Sequence, residues 1–367
     1  MIVKSEQKQH QQTAKKTIKC LVWDLDNTLW KGVLLEDERV ELANRVVEII
    51  KTLDSRGILQ SIASKNDRAK ALEKLQEFGL QDYFLYPQIN WNSKAHSLQQ
   101  IAEAINIGID AIAFIDDRMF ELEEVQFSLP KVLCINASEL NRLLTMPEFN
   151  PRFITEDSQK RRLMYLSDLE RKQAESEFIG TQEAFLATLK MHLTISTAKE
   201  EDLQRAEELT VRTNQLNTTG YTYSYEKLDR FRQSKQHKLL IASLTDKYGD
   251  YGKIGLVLVE CLDNCWTIKL FLMSCRVMSR GVGTVMLNYL LNLAQEKNLP
   301  LRAEFVANNR NRMMYITYKF AIKLSVKYGN TSGSVVVYAT YGLILCGIVG
   351  DIETGYKFGQ LALKSCL

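Results

Sequence analysis

The sequence is poor in net charge, in histidine and in clustered cysteine, and each shortage narrows the possibilities. Across 367 residues the formal balance is only +3. This excludes the basic coat of a nucleic-acid binder and the polybasic patch of a membrane-surface protein. The seven cysteines (Cys20, Cys134, Cys261, Cys265, Cys275, Cys346 and Cys366) are scattered and odd in number, which is not a disulfide framework. The first 17 residues are rich in Gln and Lys and lack the apolar centre of a secretory leader. They read as a flexible arm, and the chain is expected in a reducing cytoplasm. The four histidines, His10, His96, His192 and His237, stand apart from one another, so no zinc or His-based catalytic cluster is visible. Only Ser334–Gly350 is long, apolar and uncharged, and at 17 residues it is at the short limit for a membrane span. A buried helix fits it better, and no membrane partner is expected.

What is present is the patterning of a globular α/β protein, 46% hydrophobic and 25% charged. From Ile18 to Pro147 short apolar runs alternate with amphipathic stretches. The runs predict strands at Ile18–Trp23, Ile58–Ala63, Ala111–Ile115 and Lys131–Ile135. Helices follow near Asn44–Arg56, Asp67–Phe78, Lys94–Asn106 and Glu121–Leu129. That alternation predicts a parallel sheet with helices on both faces. A charged helix near Glu156–Ser176 bridges residues 148–190. A second domain, 191–320, has strands at Leu239–Asp246, Ile254–Glu260, Cys265–Met273 and Leu301–Val306, and a helix at Gly283–Lys297. Residues 321–367 suggest a helical tail resembling one tetratricopeptide-type unit, although the alternation Ile322, Leu324, Val326, Tyr328 equally suits a strand.

The chemistry concentrates at strand ends. Asp24 and Asp26 close the first strand, two apart and so on one side of an extended chain. In an open parallel sheet, that edge is where ligands bind. One carboxylate can attack phosphorus while the other protonates the leaving oxygen and then activates water. Alone, the run Asp24-Leu25-Asp26-Asn27-Thr28 is also compatible with an acidic turn. Ser64 ends a second strand, Lys94 opens the next helix, and Asp116-Asp117 end a third strand. A phosphoryl transition state needs this set: carboxylates to hold a hard cation, and a hydroxyl and an ammonium for the phosphoryl oxygens. With four elements in this order, residues 18–147 resemble the haloacid dehalogenase (HAD) superfamily. The resemblance implies Asp24 as nucleophile and Asp26 as acid/base. It implies Mg²⁺ held by Asp24, the Asp26 carbonyl and Asp116 with Asp117 in support. Thr28, Ser64 and Lys94 would bind the phosphate. Only 40 positions separate Asp24 from Ser64, which leaves room for a small flap near Trp30–Val40 and no large cap.

In the second domain, Trp266–Gly283 runs a strand into a glycine-bearing helix entry and resembles an acetyltransferase-type (GNAT) fold. Met278 stands where that motif carries Gln or Arg. Cys275 ends the strand shortly before a helix N-terminus, with Arg276 and Arg280 near in sequence. Such a setting favours a thiolate, while a small buried hydrophobe is the ordinary role of a free cysteine. Cys261 and Cys265 are expected to flank a hairpin turn at Asp263-Asn264.

Together the stretches Val22–Asp37, Ser64–Asp67, Phe114–Glu121, Arg212–Asn217, Asp246–Gly252 and Phe271–Gly281 resemble the FkbH-like family, a HAD domain fused to a GNAT-like domain. The resemblance implies a phosphorylated three-carbon substrate, 1,3-bisphosphoglycerate. Its glyceroyl group would pass through Cys275 to the phosphopantetheine thiol of an acyl carrier protein for polyketide-type biosynthesis. Two departures stand out: Arg118-Met119 replaces the family's Asn-Pro, and the resemblance stops near Tyr315–Phe320. An incomplete second sheet would leave an unpaired edge. A plain phosphatase with a disabled second domain, or a non-catalytic remnant, are therefore the alternatives.

Overall fold

The computed structural model describes residues 17–308 and 310–321 and the segments 324–326, 334–339 and 356–357. The arm expected over residues 1–17 lies outside them except for Thr17. The chain divides into two compact units, one ending at Leu166 and the other beginning at Ser167.

The first unit runs β1 (Cys20–Trp23), β2 (Trp30–Lys31), β3 (Glu41–Leu42), α1 (Val46–Ser55), β4 (Leu59–Ser64), α2 (Arg68–Glu77), β5 (Gln88–Ile89), α3 (Lys94–Ile105), β6 (Ile112–Asp116), α4 (Met119–Ser128), β7 (Leu133–Asn136), α5 (Leu140–Leu143) and α6 (Glu156–Gln159). Its five-stranded sheet has the order β5-β4-β1-β6-β7, and its pairings are parallel. β1 is the centre, with every residue buried. A strand covered on both faces needs a continuous apolar run, and Cys20-Leu21-Val22-Trp23 supplies it. One polar chain crosses this core. The Trp23 indole donates to Gln60 Oε1 (3.1 Å), and the Gln60 amide donates to the Ile50 carbonyl (2.9 Å). This ties β1, β4 and α1 together with the buried polar atoms satisfied.

Gly57, between α1 and β4, has φ +70°, and a Cβ there would lie 2.7 Å from the Ser158 carbonyl oxygen. Gly57→Ala is expected to destabilise this unit by at least about 1–2 kcal/mol from the left-handed backbone alone. Urea denaturation checks this, and an unchanged midpoint would refute it.

The second unit contains most of α7 (Arg161–Glu177). It continues with α8 (Gln182–Thr188), β8 (His192–Thr197), α9 (Leu203–Arg212), α10 (Tyr225–Gln233), β9 (His237–Asp246), β10 (Gly249–Leu262), β11 (Cys265–Met273), α11 (Val282–Glu296), β12 (Leu301–Val306), α12 (Arg312–Ala321), β13 (Leu324–Val326), β14 (Ser334–Ala339) and β15 (Tyr356–Lys357). These strands form one mixed sheet, β13-β14-β12-β11-β10-β9-β8-β15. The fold class is as expected: α/β with a Rossmann-like parallel sheet, followed by an α+β unit. Cys261 and Cys265 do flank a tight hairpin, with Leu262 paired to Cys265.

Of the helical tail expected over 321–367, only residues 324–326, 334–339 and 356–357 are described beyond α12. These are strands, and β14 pairs antiparallel with both β12 and β13. Two physical reasons account for this. Val335, Val336 and Val337 are β-branched and fit a pleated surface, and the free edge of β12 offers them a ladder of hydrogen bonds. Most of Ser334–Gly350 lies outside the described residues. Among those described, no helix is long and apolar enough to cross a membrane.

Two of the family-like stretches are structural. Asp246 accepts hydrogen bonds from Nε and Nη2 of buried Arg171 (2.7 and 2.9 Å) and from the Tyr251 hydroxyl (3.0 Å). The turn from Asp246 to Gly252 thereby clamps α7 onto the sheet. Residues Leu216–Thr218 fill the gap where β11 and β12 part. Met273 N donates to the Leu216 carbonyl, Thr218 N to the Phe271 carbonyl and Val306 N to the Thr218 carbonyl. The Asn311 amide closes the wedge with bonds to the carbonyls of Asn217, Thr218 and Val306.

Candidate active site

The strand order β4-β1-β6 brings three carboxyl ends side by side, and the expected residues converge there. Asp24 is the first residue after β1, Ser64 the last of β4, and Asp116 the last of β6. Lys94 starts α3, whose cap Ser93 accepts a hydrogen bond from His96 N (3.3 Å). Capping fixes where the helix begins. It also directs Lys94 inward, so that it is buried although lysine seldom is. The Lys94 ammonium is bonded to Asp24 Oδ1 and to the Ala63 carbonyl (2.8 Å).

Carboxylate oxygens of Asp24, Asp116 and Asp117 all lie within 4.8 Å of one another. Asp116 Oδ1 accepts the Arg118 amide (2.9 Å). Its Oδ2 is 3.3 Å from the Lys94 ammonium but accepts no hydrogen bond, and Asp117 Oδ1 is also buried without a partner. Burial, and then the Asp24 charge, push the Asp116 carboxyl up to about 7. Burial likewise raises Asp24, although Lys94, Ser64 and the Leu25 amide oppose it. Burial disfavours the Lys94 ammonium, but Asp24 and Asp116 outweigh this and hold its pKa above the ordinary value. Orphaned oxygens in a crowded set of carboxylates fit a hard divalent cation, which takes oxygen ligands and relieves their repulsion. Asp24, Asp116 and Asp117 could hold it.

Asp26 is held differently. Its Oδ1 accepts the Trp30 indole (2.8 Å) and the Leu34 amide (3.1 Å), and its Oδ2 accepts the Asn66 amide (2.9 Å). The short ribbon of β2 and β3 that forms the base of the small flap is thus fastened to Asp26. Neither Trp30 nor Asn66 was singled out above for such a role, though both lie in stretches marked by the resemblance. The cleft is lined by Asp24, Asp26, Ser64 and Lys94, and by Lys65, Asp116, Arg118 and Glu121. Thr28 is not among its lining residues. It is fully buried, and its hydroxyl has no hydrogen-bond partner among the described residues.

Cys275 lies in the second unit, half-buried, in a single turn between β11 and α11, with its Sγ 3.8 Å from Gln215 Oε1. Of the two arginines near it in sequence, Arg280 has a partner of its own. Arg280 is buried, 3.1 Å from Glu175 Oε2, and packs against the Phe185 ring. Its charge is matched there by a carboxylate. The α11 N-terminus is capped by Gly281 at φ +73°, which suits a residue without a Cβ.

No protein-family model matches the chain, and no curated protein matches it. Solved structures do resemble parts of it. One is the N-terminal part of a Bacteroides fragilis protein containing a phosphatase domain, complexed with Mg. It is 31% identical with a TM-score of 0.34, over 37% of this chain and 41% of that one, so the chain spans about two fifths of its length. The Escherichia coli ribosomal-protein-S18-alanine N-acetyltransferase is 16% identical with a TM-score of 0.30, over 42% of this chain and 98% of that one. The GNAT domain of S. lividans PAT is 16% identical with a TM-score of 0.32, over 39% and 88%.

Proposed function

We propose that the first unit is a Mg²⁺-dependent phosphoryl-transfer site of the HAD type. The observation that carries this is the convergence of Asp24, Asp116 and Asp117, with orphaned oxygens, beside Lys94 and Ser64. Asp24, Asp116 and Asp117 would hold the ion, which supplies positive charge to the phosphoryl oxygens. Asp24 attacks phosphorus, and the bond to the leaving oxygen breaks. Asp26, oriented by Trp30, Leu34 and Asn66, gives that oxygen a proton and later takes one from the water that hydrolyses the aspartyl phosphate. Lys94 and Ser64 grip the phosphoryl oxygens.

In the fuller reading, guided by the FkbH-like resemblance, the substrate is 1,3-bisphosphoglycerate. The Cys275 thiolate attacks the acyl carbon and phosphate leaves. The Asp24 site removes the remaining phosphate, and the glyceroyl thioester passes to the phosphopantetheine thiol of an acyl carrier protein. Incubation with 1,3-bisphosphoglycerate and a phosphopantetheinylated carrier, read by intact mass, tests it. The carrier should gain one glyceroyl group. Phosphate release without loading would favour the second reading, a plain phosphatase with a disabled second domain.

The metal assignment has a pH signature. Folded Asp116 keeps its proton up to about pH 7, whereas an ordinary carboxyl loses it near 3.8. Between these values the metal-free folded state binds more protons than the unfolded chain, so stability falls as pH rises through the window. A bound cation removes that penalty. Mg²⁺ should therefore raise Tm more at about pH 8 than at about pH 6. Asp116→Ala should lose most of the gain, and Asp117→Asn less of it. Equal Mg²⁺-induced shifts in wild type and Asp116→Ala would contradict the assignment.

A further inference from the structure

Three side chains lining the cleft have no part in the chemistry above. Lys65 follows the last residue of β4, and Arg118 lies two residues beyond β6. Because β4 and β6 flank β1, the two cations reach the Asp24–Asp26 edge from opposite sides. Glu121 lies in the first turn of α4, and its Oε1 is 2.8 Å from the Lys65 ammonium. This ion pair links the β4 and β6 sides of the cleft. Glu121 is buried, and its Oε2 has no partner among the described residues. The Lys65 side chain remains 32% exposed. An ammonium has three donors, and only one is spent on Glu121. Arg118 is exposed, and among the described residues its guanidinium makes no hydrogen bond or ion pair.

The charge balance gives these groups a purpose. The cleft is lined by four carboxylates, Asp24, Asp26, Asp116 and Glu121, and by three cations. With Asp117 at the metal position the carboxylates outnumber the cations by two, and a divalent ion brings that balance to neutral, so an incoming anion is no longer repelled. Lys94 and Ser64 serve the transferred phosphoryl group, which leaves Lys65 and Arg118 facing whatever is attached to it. A guanidinium matches a carboxylate or phosphate in a forked, two-bond geometry.

Resting on the phosphoryl reading of Asp24, we propose that Lys65 and Arg118 form a second anion subsite, so that the cleft selects phosphorylated substrates whose remainder carries its own carboxylate or phosphate. Glu121 is a positioning residue that holds the Lys65 ammonium in the cleft.

The test uses the whole chain with Mg²⁺ and two non-hydrolysable ligands, propylphosphonate and 3-phosphonopropionate, which differ only by a terminal methyl or carboxylate. Calorimetry should show 3-phosphonopropionate bound at least about tenfold tighter. Arg118→Ala should cut that ratio several-fold without changing propylphosphonate affinity. Lys65→Met should do the same, and Lys65→Arg should retain the preference. Propane-1,3-bisphosphonate tells a phosphate-preferring subsite from a carboxylate-preferring one. A wild-type ratio near one, or equal losses for both ligands in the variants, overturns the subsite and leaves the Asp24 reading intact. Failure of both ligands to bind in the presence of Mg²⁺ overturns both.

Discussion

Asp24→Asn is expected to lower Mg²⁺-dependent phosphate release from a phosphomonoester by at least about a thousandfold. An amide has no anionic oxygen to attack phosphorus, so the covalent intermediate cannot form. The change is nearly isosteric at a buried position, and the carboxylate it replaces is held by Lys94. The fold should survive. Lys94 keeps its bond to the Ala63 carbonyl and its proximity to Asp116, and one like charge leaves a crowded set. A Tm close to wild type, measured alongside, separates loss of the nucleophile from loss of the fold. Retained Mg²⁺-dependent turnover would remove Asp24 as nucleophile.

Cys275→Ser is expected to abolish acyl loading of the carrier while phosphatase activity at Asp24 stays near wild type. A hydroxyl titrates far above neutral pH and attacks an acyl phosphate poorly. Any ester formed resists transfer to a thiol. The phosphoryl step uses neither group, and the two residues belong to different compact units. Thiol alkylation should reproduce the effect, with the modified site mapped. Cys20 is fully buried, and burial pushes its thiol well above the ordinary range, so it should react slowly. Full loading by Cys275→Ser would reject the relay. No loading by wild type or variant, with phosphatase activity in both, would favour the plain phosphatase.

The candidate site of the first unit was legible because its residues sit at transitions that sequence marks clearly. An apolar run ending in Asp24, another ending in Ser64 and a third ending in Asp116 specify strand ends, and a parallel sheet must align such ends. Less legible were the groups that act on those residues from elsewhere in the sequence. Asn66 holds Asp26 from 40 positions away, and Glu121 reaches Lys65 across 56. No periodicity reveals such pairs. Arg280 is a further case: near Cys275 in sequence, it pairs with Glu175, 105 positions earlier. The described piece of the tail at Ser334–Ala339 departs from the helical expectation. Runs such as Ser334–Ala339 are apolar enough for a buried helix, and pairing with β12, a non-local partner, decided for strand.

The most direct measurement is rapid acid quench of the Mg²⁺-loaded protein during turnover of a phosphomonoester, followed by peptide mass mapping. The account predicts one phosphoryl group, acid-stable and hydroxylamine-sensitive as an acyl phosphate should be, on the peptide containing Asp24, and none without Mg²⁺. A phosphoryl group on any other residue, or turnover with no adduct that Asp24→Asn leaves undiminished, would contradict it.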